Sequence, residues 1–150
     1  MRPWSFRTER GSASLEFLTV GLILMVPLVY LVLAVSALQA GALAAEGAAR
    51  QAARAFVQAA NEEAGQAAAG RALAVTLADY GLPTETSTLE FDCGDGQPRC
   101  LVRGEVVTVS VRVTVALPLV PDVLGLQQSA SVPLAASATQ RVSTFWGAAP

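Results

Sequence analysis

The sequence predicts an α+β protein in which a long N-terminal helix carries a small antiparallel sheet of three or four strands. Three observations lead there. No charged residue occurs from Phe17 to Ala45, a run of 29 positions. No proline occurs between Pro27 and Pro83, and alanine dominates residues 40–80. From Thr86 onward the apolar period changes from that of a helix to the two-residue repeat of a strand.

The composition localises the apolar material. Of 150 residues, 53% are hydrophobic and 15% charged, and the mean hydropathy is +0.47. Soluble domains carry about 25% charged residues. The excess is concentrated in the N-terminal block and the alanine-rich stretch behind it, which points to a membrane segment and not to a large core. Net charge is −2, and the ten basic residues, all arginine, are scattered. Without a basic stripe, nucleic-acid binding is not expected. The chain has no histidine, so the commonest general base and metal ligand are both missing. Two cysteines alone do not make a structural zinc site. No nucleophile–base pair, paired carboxylates or phosphate-cradling loop stands out, and the expectation is a protein that is not an enzyme and holds no cofactor or metal.

The densest apolar stretch, Phe17 to Leu38, would be about 33 Å long as a helix, enough to cross a hydrocarbon core of about 30 Å. Its first partner is therefore the lipid bilayer. Pro27, lacking the N–H that would bond back to Ile23, predicts a bend that membrane helices tolerate. Arg2, Arg7 and Arg10 precede the segment, whereas Arg50 and Arg54 follow farther away, which favours a cytoplasmic N-terminus. Cys93 and Cys100 agree, because a lasting disulfide needs an oxidising compartment.

The N-terminus admits three readings. One is an uncleaved anchor of a bitopic envelope protein. Another is a secretory signal cut near Ala42, where Ala40-Gly41-Ala42 and Ala42-Leu43-Ala44 fit a small-x-small site, although the apolar run exceeds the about 7–15 residues of such signals. The third comes from Arg10-Gly11-Ser12-Ala13-Ser14-Leu15-Glu16-Phe17, which resembles the processing site of type IV prepilins. In that family a short basic leader ends in glycine, and glutamate stands fifth in the mature chain before an apolar helix. Gly11 here matches the last leader position, Ser12 the first mature residue and Glu16 the fifth. Many type IV pilins begin with phenylalanine or methionine; a small first residue suits the tight-adherence branch. Within that branch the pattern, followed by a proline-bearing apolar helix, is similar to the TadE/TadF minor pilins. The specific likeness covers residues 10 to about 40.

Glu16 has a simpler reading as an interfacial acid. At the bilayer centre a carboxylate costs about 2.5–3.5 kcal/mol, at the interface far less, and the helix dipole returns about 0.3–1 kcal/mol. The resemblance implies a further role, pairing of Glu16 with the new α-amino group of Ser12 on a neighbouring subunit.

Behind the membrane, residues 39–82 read as a helical stem, nearly continuous with the apolar helix from about Ala13 to Tyr80 and roughly 100 Å long if unbroken. Glu46 and Arg50 stand in the favourable i, i+4 order, and Leu73, Leu77 and Tyr80 share a face. Gly65 and Gly70 are the expected points of division, and Gly81-Leu82-Pro83 the expected stop. The alanine surface suits close helix packing, either between subunits or on the chain's own head.

The head, residues 83–150, opens with a strand over Thr86–Asp92. Cys93-Gly-Asp-Gly-Gln-Pro-Arg-Cys100 follows as a loop with an Asp95-Gly96 turn. Six residues separate the cysteines, unlike a redox Cys-x-x-Cys, and Asp92 and Asp95 fall short of the about six to eight oxygens calcium takes. The disulfide is a staple, of about 2.5 kcal/mol on the chain-entropy account. Val107, Val109, Val111, Val113 and Val115 alternate with smaller or polar residues across Glu105–Leu117, the pattern of a half-buried strand. A last strand near Gln128–Thr144 carries Pro133 and belongs at an edge. The apolar connection Leu117–Leu126 is expected by default to tuck against the helix; the alternatives are that it rests on the outer leaflet or binds another subunit.

Together these readings divide the chain into a leader (1–11), a transmembrane helix (12–38), a stem (39–82) and a head. The resemblance implies a structural minor pilin, cut by a prepilin peptidase. Its further partners would be other pilin subunits and inner-membrane pilus assembly proteins. It would reside in the cytoplasmic membrane with its head outside, or in an extracellular pilus.

Overall fold

The computed structural model describes residues 12–94, 99–120, 123 and 125–147. Helix α1 runs over Ser12–Val57 and continues through Pro27. Helix α2 spans Glu62–Asp79, a single 3-10 turn covers Thr84–Thr86, and strands β1 (Ser87–Asp92), β2 (Val106–Ala116) and β3 (Ser131–Arg141) follow, with a one-turn helix, Leu126–Ser129, between the last two. The strands form an antiparallel sheet in the order β1-β2-β3. The fold is thus the expected long helix with a small sheet. Pro133 lies in an edge strand, where its missing N–H interrupts no inner ladder.

The helix is not continuous to Tyr80. It stops at Val57, and α2 turns back along α1. Gly65 and Gly70 are not the cause; both lie inside α2. Asn61 starts the new helix with extended backbone (φ −155°, ψ 172°), and its side-chain oxygen accepts the Ala64 N–H at 2.9 Å. Glu62 and Glu63 then occupy the first turn, where helix dipoles favour acids. An asparagine followed by two glutamates is a start signal, and it outweighs the alanine propensity on either side. Gly65 instead lets the helices meet: a Cβ there would stand 3.0 Å from Phe56 Cδ2 and 3.1 Å from the Phe56 carbonyl oxygen.

The end of α2 is as expected. Gly81 takes the left-handed conformation (φ 68°), its N–H bonds to the Ala78 carbonyl, and the Leu82 N–H reaches the Leu77 carbonyl at 2.9 Å. This paired ending also brings Leu82 onto the cluster containing Leu77.

The core forms between the C-terminal half of α1, α2 and one sheet face. Val107, Val109, Val111, Val113 and Val115 are all buried. Facing them, Ala44, Ala45, Ala48, Ala49, Ala52 and Ala53 are buried too, so small side chains let α1 lie close against β2 and β3 on one side and α2 on the other. The alanine-rich stretch is therefore the middle of the head and does not separate the head from the apolar helix. Phe56 and Phe91 close the far end with ring centroids 4.6 Å apart. The other sheet face is polar, carrying the Glu90–Arg112 ion pair at 2.6 Å and the Thr108–Thr139 contact at 3.2 Å.

Candidate membrane and assembly surface

The two halves of α1 differ in what covers them. From Gly41 onward its inner face is buried, whereas Leu18, Leu24 and Leu28 are 60%, 67% and 59% exposed, like their apolar neighbours from Leu15 to Val35. A bare surface of this extent is stable only in lipid or against other protein. The segment is long and apolar enough to cross a membrane. Its one hydroxyl near the start, Thr19, donates to the Leu15 carbonyl at 2.7 Å, which removes an unpaired polar group from the apolar surface.

Glu16 lies in the second turn of α1, exposed, and no described residue forms an ion pair with it. Ser12 is the first helical residue; Gly11 lies outside the described residues. Glu46 and Arg50, farther along, form the expected i, i+4 ion pair.

β2 runs opposite to α1, so the head has a near and a far end relative to the apolar segment. At the near end a Cβ on Gly41 would overlap Val115 Cγ2 and stand 3.0 Å from Leu134 Cδ1. The α2–β1 connection and the β2–β3 connection lie at this end, where Ala37, Ala40, Tyr80, Thr86, Val115 and Ser131 line one hollow of about 490 Å³. The far end holds the turn between the helices, the disulfide and the C-terminal tail.

No protein-family model, no curated protein and no solved structure matches this chain.

Cys93 and Cys100 are joined, with Cα atoms 4.7 Å apart. Asp92 serves the loop itself, accepting the Gly94 N–H at 3.1 Å; the Asp95-Gly96 turn lies outside the described residues. The loop is also tied to the helices, a link the sequence reading missed. Glu62 Oε1 accepts the backbone N–H of Cys100 at 2.7 Å and of Leu101 at 3.4 Å. The tail adds a second tie: Trp146 Nε1 donates to the Ala59 carbonyl at 2.8 Å, and Arg103 Nε holds the Trp146 carbonyl at 2.6 Å. The acidic first turn of α2 was visible in the sequence, but its partners 38 and 39 positions away were not.

Proposed function

We propose that this chain is a TadE/TadF-like minor pilin, a structural subunit without catalytic activity that is anchored in the cytoplasmic membrane and takes part in assembling a tight-adherence pilus. The observation carrying this reading is the division of α1: one continuous helix is bare and apolar in its first half and is the central element of the head in its second. Such a helix can leave lipid for a bundle of like helices without refolding its head. The processing pattern around Gly11, Ser12 and Glu16 supports the same reading, with a prepilin peptidase as the processing partner and other subunits as the assembly partners. Among the described residues none forms an ion pair with Glu16, which leaves its carboxylate available for a neighbour's Ser12 amine.

Release by a cut near Ala42 fits less well. Residues 40–44 are helical, and Gly41 and Ala44 are packed in the head, whereas a peptidase needs an extended strand. The uncleaved bitopic anchor has no observation of its own in its favour.

The deciding experiment is the N-terminal residue and intact mass of the native protein from a membrane fraction. A chain starting at Ser12 is expected; one starting near Leu43, or retaining its leader in its own host, overturns the proposal. A second expectation concerns Glu16→Ala. Insertion and cleavage should persist while incorporation into pili falls, measured by immunoblot of sheared filaments against the membrane fraction. Unchanged incorporation removes the pairing role.

A further inference from the structure

We infer that Leu119, Val123 and Leu126, in the β2–β3 connection, form a second membrane element, seated among the acyl chains of the outer leaflet beside α1. The inference rests on the membrane reading above and extends it to a segment outside the helix.

The position of the connection follows from the packing of β2. Val115 sits over Gly41, at the boundary where α1 changes from buried to bare, and the chain continues past it in the direction of the apolar half. Leu119 reaches α1 at the depth of the membrane segment: with Phe17, Leu22, Met25 and Tyr30 it lines an open, apolar hollow of about 780 Å³. Leu119 is 77% exposed, and Val123 and Leu126 are about half exposed. Three large apolar side chains turned outward in one connection have no use in water. They do have one beside a helix that is itself in lipid, because the two surfaces are continuous.

The sequence of the connection agrees. Between Leu117 and Leu126 the sequence carries a single charge, Asp122, and the base of the connection is closed by the Leu117 N–H bonding to the Ala130 carbonyl at 3.0 Å. A charge in so short a stretch of sequence limits insertion to the outer part of the leaflet. Tyr80, exposed at the same end of the head, belongs at the headgroup level, where tyrosine is enriched. The consequence is an oriented head. Attached by α1 alone it would rotate about the helix axis; with the connection embedded it presents one fixed side to the bilayer, and it must withdraw the connection to enter a filament.

Photocrosslinking of the full-length protein in vesicles of phosphatidylethanolamine and phosphatidylglycerol tests this. A benzophenone side chain is installed singly in place of Leu119, of Val26 in the apolar helix, or of Thr139 on the polar sheet face, and adducts are read by mass. Lipid adducts are expected at Leu119 and Val26 and not at Thr139. Lipid at Val26 without lipid at Leu119 overturns the inference and leaves the membrane reading standing. A protein–protein adduct at Leu119 in place of lipid overturns it in favour of a subunit contact. No lipid at Val26 removes the membrane reading, and the inference with it.

Discussion

At the scale of single residues, Glu62 joins the disulfide loop to the helices. Its carboxylate stands in the first turn of α2, where the helix dipole favours a negative charge, and it accepts two backbone N–H groups at the exit of the disulfide loop. Both bonds are partly shielded from water, and hydrogen bonds to charged groups contribute about 1.5–3 kcal/mol. Glu62→Ala should therefore destabilise the head by about 2 kcal/mol, read as a lower denaturant midpoint. Glu62→Gln, which keeps an acceptor but not the charge, should lose about half of that. If the alanine variant unfolds at the wild-type midpoint, the contact contributes nothing. The disulfide and Glu62 are thus two halves of one fastening: Cys93–Cys100 closes the loop on itself, and Glu62 fixes it to the helices.

At the scale of elements, the strands were legible and the helical hairpin was not. β2 announced itself because five alternating valines leave one possible buried face, and its partner strands followed from turn residues and Pro133 at an edge. The end of α2 was equally clear, since Gly81 supplies the positive φ that a helix termination needs. The break at 58–61 was obscured by alanine on both sides, which raises helix propensity across the boundary and hides the Asn61 cap. Gly65, expected as a weak point, is a contact point instead, because the reason for a glycine within a helix depends on a neighbour that sequence order does not show. Gly41 belongs to the same class. It lets α1 approach β2 so closely that any side chain would enter the space of Val115, a residue stiff at χ1 and almost wholly buried. Gly41→Val should destabilise by about 1–3 kcal/mol through overpacking. Gly70→Ala, where an added Cβ meets nothing within 4 Å, should be neutral or stabilising by up to about 1 kcal/mol. Thermal unfolding of the two variants side by side checks the packing of α1 on the sheet.

At the scale of the whole molecule, the chain is a packed head with an apolar helix continued out of its core. Among the described residues every buried apolar side chain belongs to residue 44 or later, and Tyr80, Leu82 and Leu134 at the near end line α1 at Ala37 and beyond. Residues 15–36 are exposed almost throughout, so they contribute little to folding and much to insolubility in water. A chain beginning at Ala37 should consequently fold without detergent, keep the disulfide and the Trp146–Ala59 bond, and melt in one cooperative transition, whereas the full chain should need detergent or lipid to stay dispersed. Circular dichroism and size-exclusion chromatography of the two forms decide the matter. A truncated chain without cooperative melting would mean that the apolar helix is needed to fold the head, and a subunit of that kind could not pass from bilayer to filament with its head intact. A soluble, cooperatively folded truncated chain would instead place all the energetics of insertion in the bare half of α1 and in the connection that lies beside it.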